Sequence, residues 1–226
     1  WDRPICFTNE NEAAQLGLGK YLRSNGLAYR LIPVENDKVD NEIAYKNVME
    51  KFSYGNASHP GVYFDEENRH RMNVIKLANV DLAISLAEAG DKEKARRILE
   101  NYDQHVRESN IPYGMTSSRG NQHDAISTQF LSACYLADDL PLAKKVSASL
   151  KKDLKEQLIY YRSLGESDMT DEQLANTAYL LLQGKGNGLA DDQVPFASDI
   201  VSSFQMLRQV EIWEKSSSDP HISEKQ

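Results

Sequence analysis

The sequence predicts a mainly α fold of stacked helical hairpins preceded by a small strand-helix-strand unit. Three observations carry that prediction. Apolar residues recur at steps of three and four through most of the chain from residue 73 onward. Glycine or paired aspartates interrupt the pattern where one helix would fold back on the next. Residues 1–34 alone have short β-prone runs separated by turn residues. The expected divisions are a small α/β unit at 1–40, a helical-repeat domain at 41–215 and a disordered tail at 216–226.

In the first part, Arg3-Pro4-Ile5-Cys6-Phe7-Thr8 reads as a strand. Asn9-Glu10-Asn11-Glu12 supplies a cap and an acidic first turn. Ala13, Ala14, Leu16, Leu18, Tyr21 and Leu22 continue as a helix, against the opposing signals of Gly17 and Gly19. Asn25-Gly26 stops it, and Leu27–Val34 reads as a second strand with Pro33 near its end. A nucleotide site would need a glycine-rich loop after the first strand. The residues there are acidic and lack glycine, so that reading is rejected.

Asn41 to Phe52 is expected to be a short helix with Ile43, Val48, Met49 and Phe52 inward. Ser53 to Asp65 is a long loop rich in Gly, Asn and aromatic residues. Such loops in compact domains are often functional; the plain reading is that Tyr54, Tyr63 and Phe64 pack onto the first hairpin. That hairpin is Asn73 to Val106. Ile75, Ala78, Leu82, Ala83, Leu86 and Ala87 share one helical face, and Ala95, Ile98, Leu99 and Tyr102 share another. Gly90 ends the first helix and Asp91 caps the second.

Asn110-Ile111-Pro112-Tyr113-Gly114 then breaks the chain. A second hairpin is expected from Asp124 to Ala137, with Ile126, Phe130, Leu131, Cys134 and Tyr135 apolar. It turns at Asp138-Asp139 and runs from Pro141 through Leu142, Val146, Leu150, Leu154, Leu158 and Ile159 to Leu164, where Gly165 stops it. A third pair places Leu174, Ala175, Ala178, Tyr179, Leu181 and Leu182 in one helix and Ile200, Phe204, Leu207, Val210, Ile212 and Trp213 in the other. Gly184 to Gly188 is the turn between them.

At 226 residues the chain has length enough to bury roughly 70% of its unfolded surface. A net charge of -8 argues against nucleic acid, whose phosphates need Lys and Arg, and against an anionic membrane surface. No apolar run reaches the roughly 20 residues that span a bilayer, so no direct membrane insertion is expected. No signal peptide is visible, and the first residue is Trp1 rather than Met; the chain is expected to be a piece of a longer protein. Cys6 and Cys134 are expected to be unpaired.

No catalytic signature is present. The five histidines lack zinc-ligand spacing, there is no CxxC, and no cofactor or metal is expected. His123-Asp124 beside Arg119 could form an acid/base group, but a loop with a helix-capping Asp124 is the favoured reading. Asp65-Glu66-Glu67 could supply carboxylates for glycoside hydrolysis, but the acidic start of a helix is favoured. The candidate binding residues lie where the Asn56–Asp65 loop meets the hairpins: Asn56, His59, Tyr63, Arg69, Arg71, Asn73, Tyr113 and Arg119. Tyr and Arg carry much interface energy, and Asn with aromatic rings suits sugars.

Ala83 and Leu86, then Gly90, Ala95 and Leu99, resemble the small-residue spacing of a tetratricopeptide repeat. The resemblance is partial, since Asp138 stands where the second hairpin would carry glycine. Such repeats stack into curved surfaces that bind peptides or proteins. RPICFT, LGLGKYLRSNGLAYRLIPV, DNEIAYKNVMEKFSYGN and HPGVYFDEENRHRM follow in that order. Together they resemble the C-terminal soluble part of a Bacteroidota family of polytopic membrane proteins, whose membrane-spanning part resembles protein O-mannosyltransferases. The resemblance implies the periplasmic side of the inner membrane, with glycosyl transfer in the membrane part. No catalytic residue of that part has a match here. The expected function is a non-catalytic module that docks a partner protein or an acceptor near the membrane part; the expected partners are a polypeptide or glycan acceptor, or its own membrane domain. The alternatives are an all-α carbohydrate-active enzyme and a purely structural domain.

Overall fold

The computed structural model describes residues 3–35, 39–116, 120–165 and 168–218. The described chain is mainly helical, with a small antiparallel sheet at its start. It forms two compact units, Trp1–Pro112 with Gln129–Ala143, and Tyr113–Thr128 with Lys144–Gln226.

The first unit opens with β1 (Cys6–Phe7), α1 (Glu10–Gln15), β2 (Leu22–Ser24) and β3 (Tyr29–Leu31), and the sheet order is β1-β3-β2. The expected helix from Ala13 to Leu22 stops early. Gly17 takes a left-handed conformation (φ 72°), and after a 3₁₀ turn at Gly19–Tyr21 the chain enters β2. Asn25-Gly26 is the turn of a hairpin: Asn25 N–H donates to Ala28 O at 2.9 Å, and Gly26 has φ 109°. The unit is therefore strand-helix-strand-strand.

α2 (Asn41–Lys51) is capped by Asp40, which accepts from Ile43 N–H. Ala44 and Val48 are its buried residues; Ile43 and Met49 are exposed, contrary to expectation. A single i, i+4 pair suffices because α2 presents a narrow stripe to α3 (Glu66–Glu88) and α4 (Lys92–His105). α3 starts a full two turns before Asn73, since Asp65 caps it by accepting from Asn68 N–H at 2.8 Å. Gly90 (φ 88°) and Asp91, which accepts from Lys94 N–H, make the turn as expected. Ala95, Ile98, Leu99 and Tyr102 are all buried. α5 (Gln122–Leu136) and α6 (Leu140–Ser163) are separated by a tight turn in which Asp138 is left-handed (φ 55°) and Asp139 accepts from Leu142 N–H. This turn meets α4 through Lys92–Asp138 at 2.8 Å and Arg96 to Ala137 O at 3.3 Å. Phe130 of α5 packs on Tyr102, ring centroids 5.4 Å apart. Cys6 and Cys134 are both free thiols.

In the second unit Leu150, Leu154 and Leu158 of α6 are fully buried, while Ile159 faces out. α7 (Asp171–Leu182) begins with a reciprocal Thr170–Gln173 capping box. It buries Leu174, Ala175 and Ala178 against Tyr161, Leu189, Ala197 and Ile200. Tyr179 and Leu182 are half exposed, as is Ile212 of α8 (Ala197–Ser218), although all three read as apolar-face residues. Of the tail, residues 219–226 lie outside the described residues.

Candidate functional site

The loop between α2 and α3 is held by its own residues. Gly55 (φ 56°) and Asn56 (φ 63°) are consecutive left-handed residues, and Asn56 O accepts from His59 N–H. Asn110 reaches back with its amide, donating to Ala57 O at 2.9 Å and His59 O at 2.7 Å. Tyr54 turns inward; its hydroxyl donates to Asn79 and accepts from Asn101. Burial raises its pKa above the ordinary tyrosine value. Tyr54 packs onto the hairpin against Tyr102 as the plain reading expects and Phe64 is buried, whereas Tyr63 is 81% exposed.

The expected site residues divide accordingly. Asn56 and His59 are exposed on the loop. Arg69 Nε donates to Phe64 O at 2.8 Å and its guanidinium lies 6.0 Å from the Tyr63 ring. Arg71 pairs with Glu67 one turn before it. Asn73 is buried within α3 and turns away from the surface. Tyr113 belongs to the second unit, buried under Lys145 at 5.9 Å. Arg119 lies outside the described residues. Among the described members of the set, the structure brings Asn56 to His59 on the loop and Arg69 to the exposed Tyr63 ring.

A concave feature lies in the second unit. A cleft of ≈ 420 Å³ is lined by Thr116, Gly120, Phe196 and Asp199 together with Asp153, Glu156, Gln157, Tyr160 and Tyr161 of α6. Asp153, Glu156, Gln157 and Tyr160 recur at steps of three, four and seven and so share one helical face. The rings make a wall: Tyr161 and Phe196 centroids are 5.3 Å apart, Tyr160 and Phe196 6.1 Å. Gln193 secures that wall by donating to Tyr161 O at 2.9 Å. Gly165 makes room for it, since a Cβ there would sit 2.6 Å from the Gln193 amide nitrogen.

Behind the cleft is a buried polar network. Gln157 Nε2 donates to Asp124 Oδ2 and to Asp153 Oδ2, each at 2.6 Å, and Gln157 Oε1 accepts from Ser203 Oγ at 2.7 Å. Asn121 donates to Asp199 O, Ser202 Oγ and Ser203 Oγ. Asp124 is fully buried inside the first turn of α5, so it is not the helix cap; its Oδ1 accepts from Met115 N–H at 2.9 Å. Burial pushes its carboxyl up to about 7, against the pull of the Met115 N–H and with Asp153 adding to the rise. Burial, together with the charges of Asp199, Asp124 and Asp153, also raises the Tyr161 hydroxyl to about 12.

None of the cleft residues was among the expected set. Their signal was available: Tyr160 falls off the Leu150/Leu154/Leu158 stripe, one turn beyond Glu156 and two beyond Asp153 on another face of the same helix.

Residues 1–52 match the family model described as TMEM260-associated domain 2, which is consistent with a TMEM260-like, O-mannosyltransferase-like family. The matched span runs from β1 through α2 and ends before the loop and the cleft. No curated protein and no solved structure matches the chain. No helix among the described residues is long and apolar enough to cross a membrane. Among them no group of three or more His, Cys, Asp or Glu could hold a metal ion.

Proposed function

We propose that this chain is a non-catalytic docking module of an O-mannosyltransferase-like membrane protein, on the periplasmic side, holding an acceptor polypeptide for the membrane part. The observation that carries the reading is the open cleft on the second unit, with an aromatic wall and exposed polar rim on rigid helices. Rings on a rigid helical scaffold give binding area at small cost in conformational entropy. The match over residues 1–52 supports the association with that family.

The enzyme reading has one feature in its favour. Asp124 holds a proton near neutrality beside Asp153, the division of roles that glycosidase carboxyls adopt. Against it, the Asp124 carboxyl is fully buried and committed to Met115 and Gln157, out of reach of a bound ligand. The pair reads as structural.

The test compares the intact membrane protein with its Tyr160→Ala variant in membranes, assaying sugar transfer to a polypeptide acceptor. A docking module predicts a raised KM for the polypeptide with kcat and transfer to a minimal acceptor unchanged. An unchanged KM sinks the reading. Glycoside turnover by the isolated chain, lost in Asp153→Asn, moves the assignment to the enzyme.

A further inference from the structure

Resting on the docking reading, the cleft carries information about what is docked. Three of its lining residues, Asp153, Glu156 and Asp199, are carboxylates, and no lysine or arginine is among the lining residues described. The hydrogen-bonding groups are one-sided as well. The donors are the hydroxyls of Thr116, Tyr160 and Tyr161 and the amide of Gln157, and that amide is already committed to Asp124 and Asp153. A neutral sugar hydroxyl donates and accepts, so it is best met by a balanced set of partners. An anion would face uncompensated like charge. A cation asks only for acceptors and π faces, and these are what the cleft supplies.

We propose that the cleft of the second unit receives the ammonium or guanidinium group of a lysine or arginine side chain in an extended segment of the docked polypeptide. The Tyr160 ring, 52% exposed, offers its face to the cation and covers the aliphatic stem. Glu156 is exposed, Asp153 and Asp199 are half-buried, and Asp153 lies beside Gln157. The ≈ 420 Å³ volume holds a long side chain with its flanking backbone rather than a folded surface. Such recognition selects polypeptides by basic residues and leaves sequence otherwise free.

The test uses the 226-residue chain and titrates it by isothermal calorimetry and amide chemical shifts. The probes are acetyl-Gly-Lys-Gly-amide, the same peptide with norleucine in place of lysine, and mannobiose. The lysine peptide is expected to bind and shift amides of α6, and to weaken as salt rises. Tyr160→Ala and, separately, Glu156→Gln each lower its affinity by about two- to fivefold. Both side chains are exposed, so the variants keep the fold; circular dichroism checks that. Equal binding of the norleucine peptide, binding of mannobiose alone, or no binding of any probe each overturns the proposal. If the KM effect in membranes persists in any of those cases, acceptor docking stands and only its basic-residue specificity falls.

Discussion

Asp138 performs the task that Gly90 performs in the preceding hairpin. Both are left-handed residues at the end of a helix, and an L-residue there is strained unless it is small and polar. Asp138 recovers something through Lys92, but both groups are more than half exposed and the pair is worth under about 1 kcal/mol. Asp138→Gly is therefore expected to be neutral within about 0.5 kcal/mol, while β-branched Asp138→Val costs about 1–2 kcal/mol in urea unfolding. Gly114 has a different reason for being glycine. A Cβ there would lie 2.4 Å from Ser149 O and 2.8 Å from Asp153 Cβ. Its N–H donates to Ser149 Oγ at 3.1 Å. Gly114→Ala should cost about 1–3 kcal/mol and displace Asp153.

Among the elements, α5, α6 and α8 are tied together by Asp124, Gln157, Ser203 and Asn121, and this knot titrates. An aspartate in the unfolded chain releases its proton near pH 4, whereas Asp124 keeps it to about 7. Between those values the native state binds a proton that the unfolded state has lost, so stability falls as pH rises through that window. The groups that face the carboxyl are the Met115 N–H, the Gln157 amide and Asp153. Urea midpoints between pH 4 and 8 should decline, with a slope of up to about 1.4 kcal/mol per pH unit. Asp124→Asn should flatten the profile.

The helices themselves were legible because their information is local. Ala95, Ile98, Leu99 and Tyr102 could be placed inward from period alone, and Gly90-Asp91 marked the turn. The knot was not legible, since its members lie on separate helices and none carries a motif. β2 was missed because Tyr21-Leu22 continued an apolar run that Gly17 had already ended. Asn73 was misread as a surface group for a related reason: nothing local marks a polar residue as buried inside a helix.

For the molecule as a whole, a chain with net charge -8 and two thiols offers a simple probe of integrity. Cys6 is exposed and Cys134 buried, and burial beside Asp139 and Asp103 raises the Cys134 thiol well above its ordinary pKa. An aromatic disulfide reagent should consume one thiol rapidly in native protein and the second only on unfolding, giving Cys134 labelling as a readout of global opening. Two fast equivalents in native protein would contradict the packing of α5. Of the expected binding surface, Asn56, His59, Tyr63 and Arg71 are exposed and Arg69 lies beside the Tyr63 ring, while the tyrosines and acids of the cleft are not among the residues the sequence singles out.

The grip of Asn110 on the backbone of Ala57 and His59 has a consequence for how the chain ages in a compartment containing proteases. A protease must draw a segment out into an extended strand before it can cut, and a loop fastened at its middle resists being drawn. The bond after Tyr63 invites cleavage by its exposed aromatic ring, and it is guarded by Arg69 on Phe64 O as well as by Asn110 and the Arg107 N–H on the loop's other half. Each fastening that is lost lets more of the loop be drawn out, so the lifetime of the α2–α3 connection follows the number of anchors that remain.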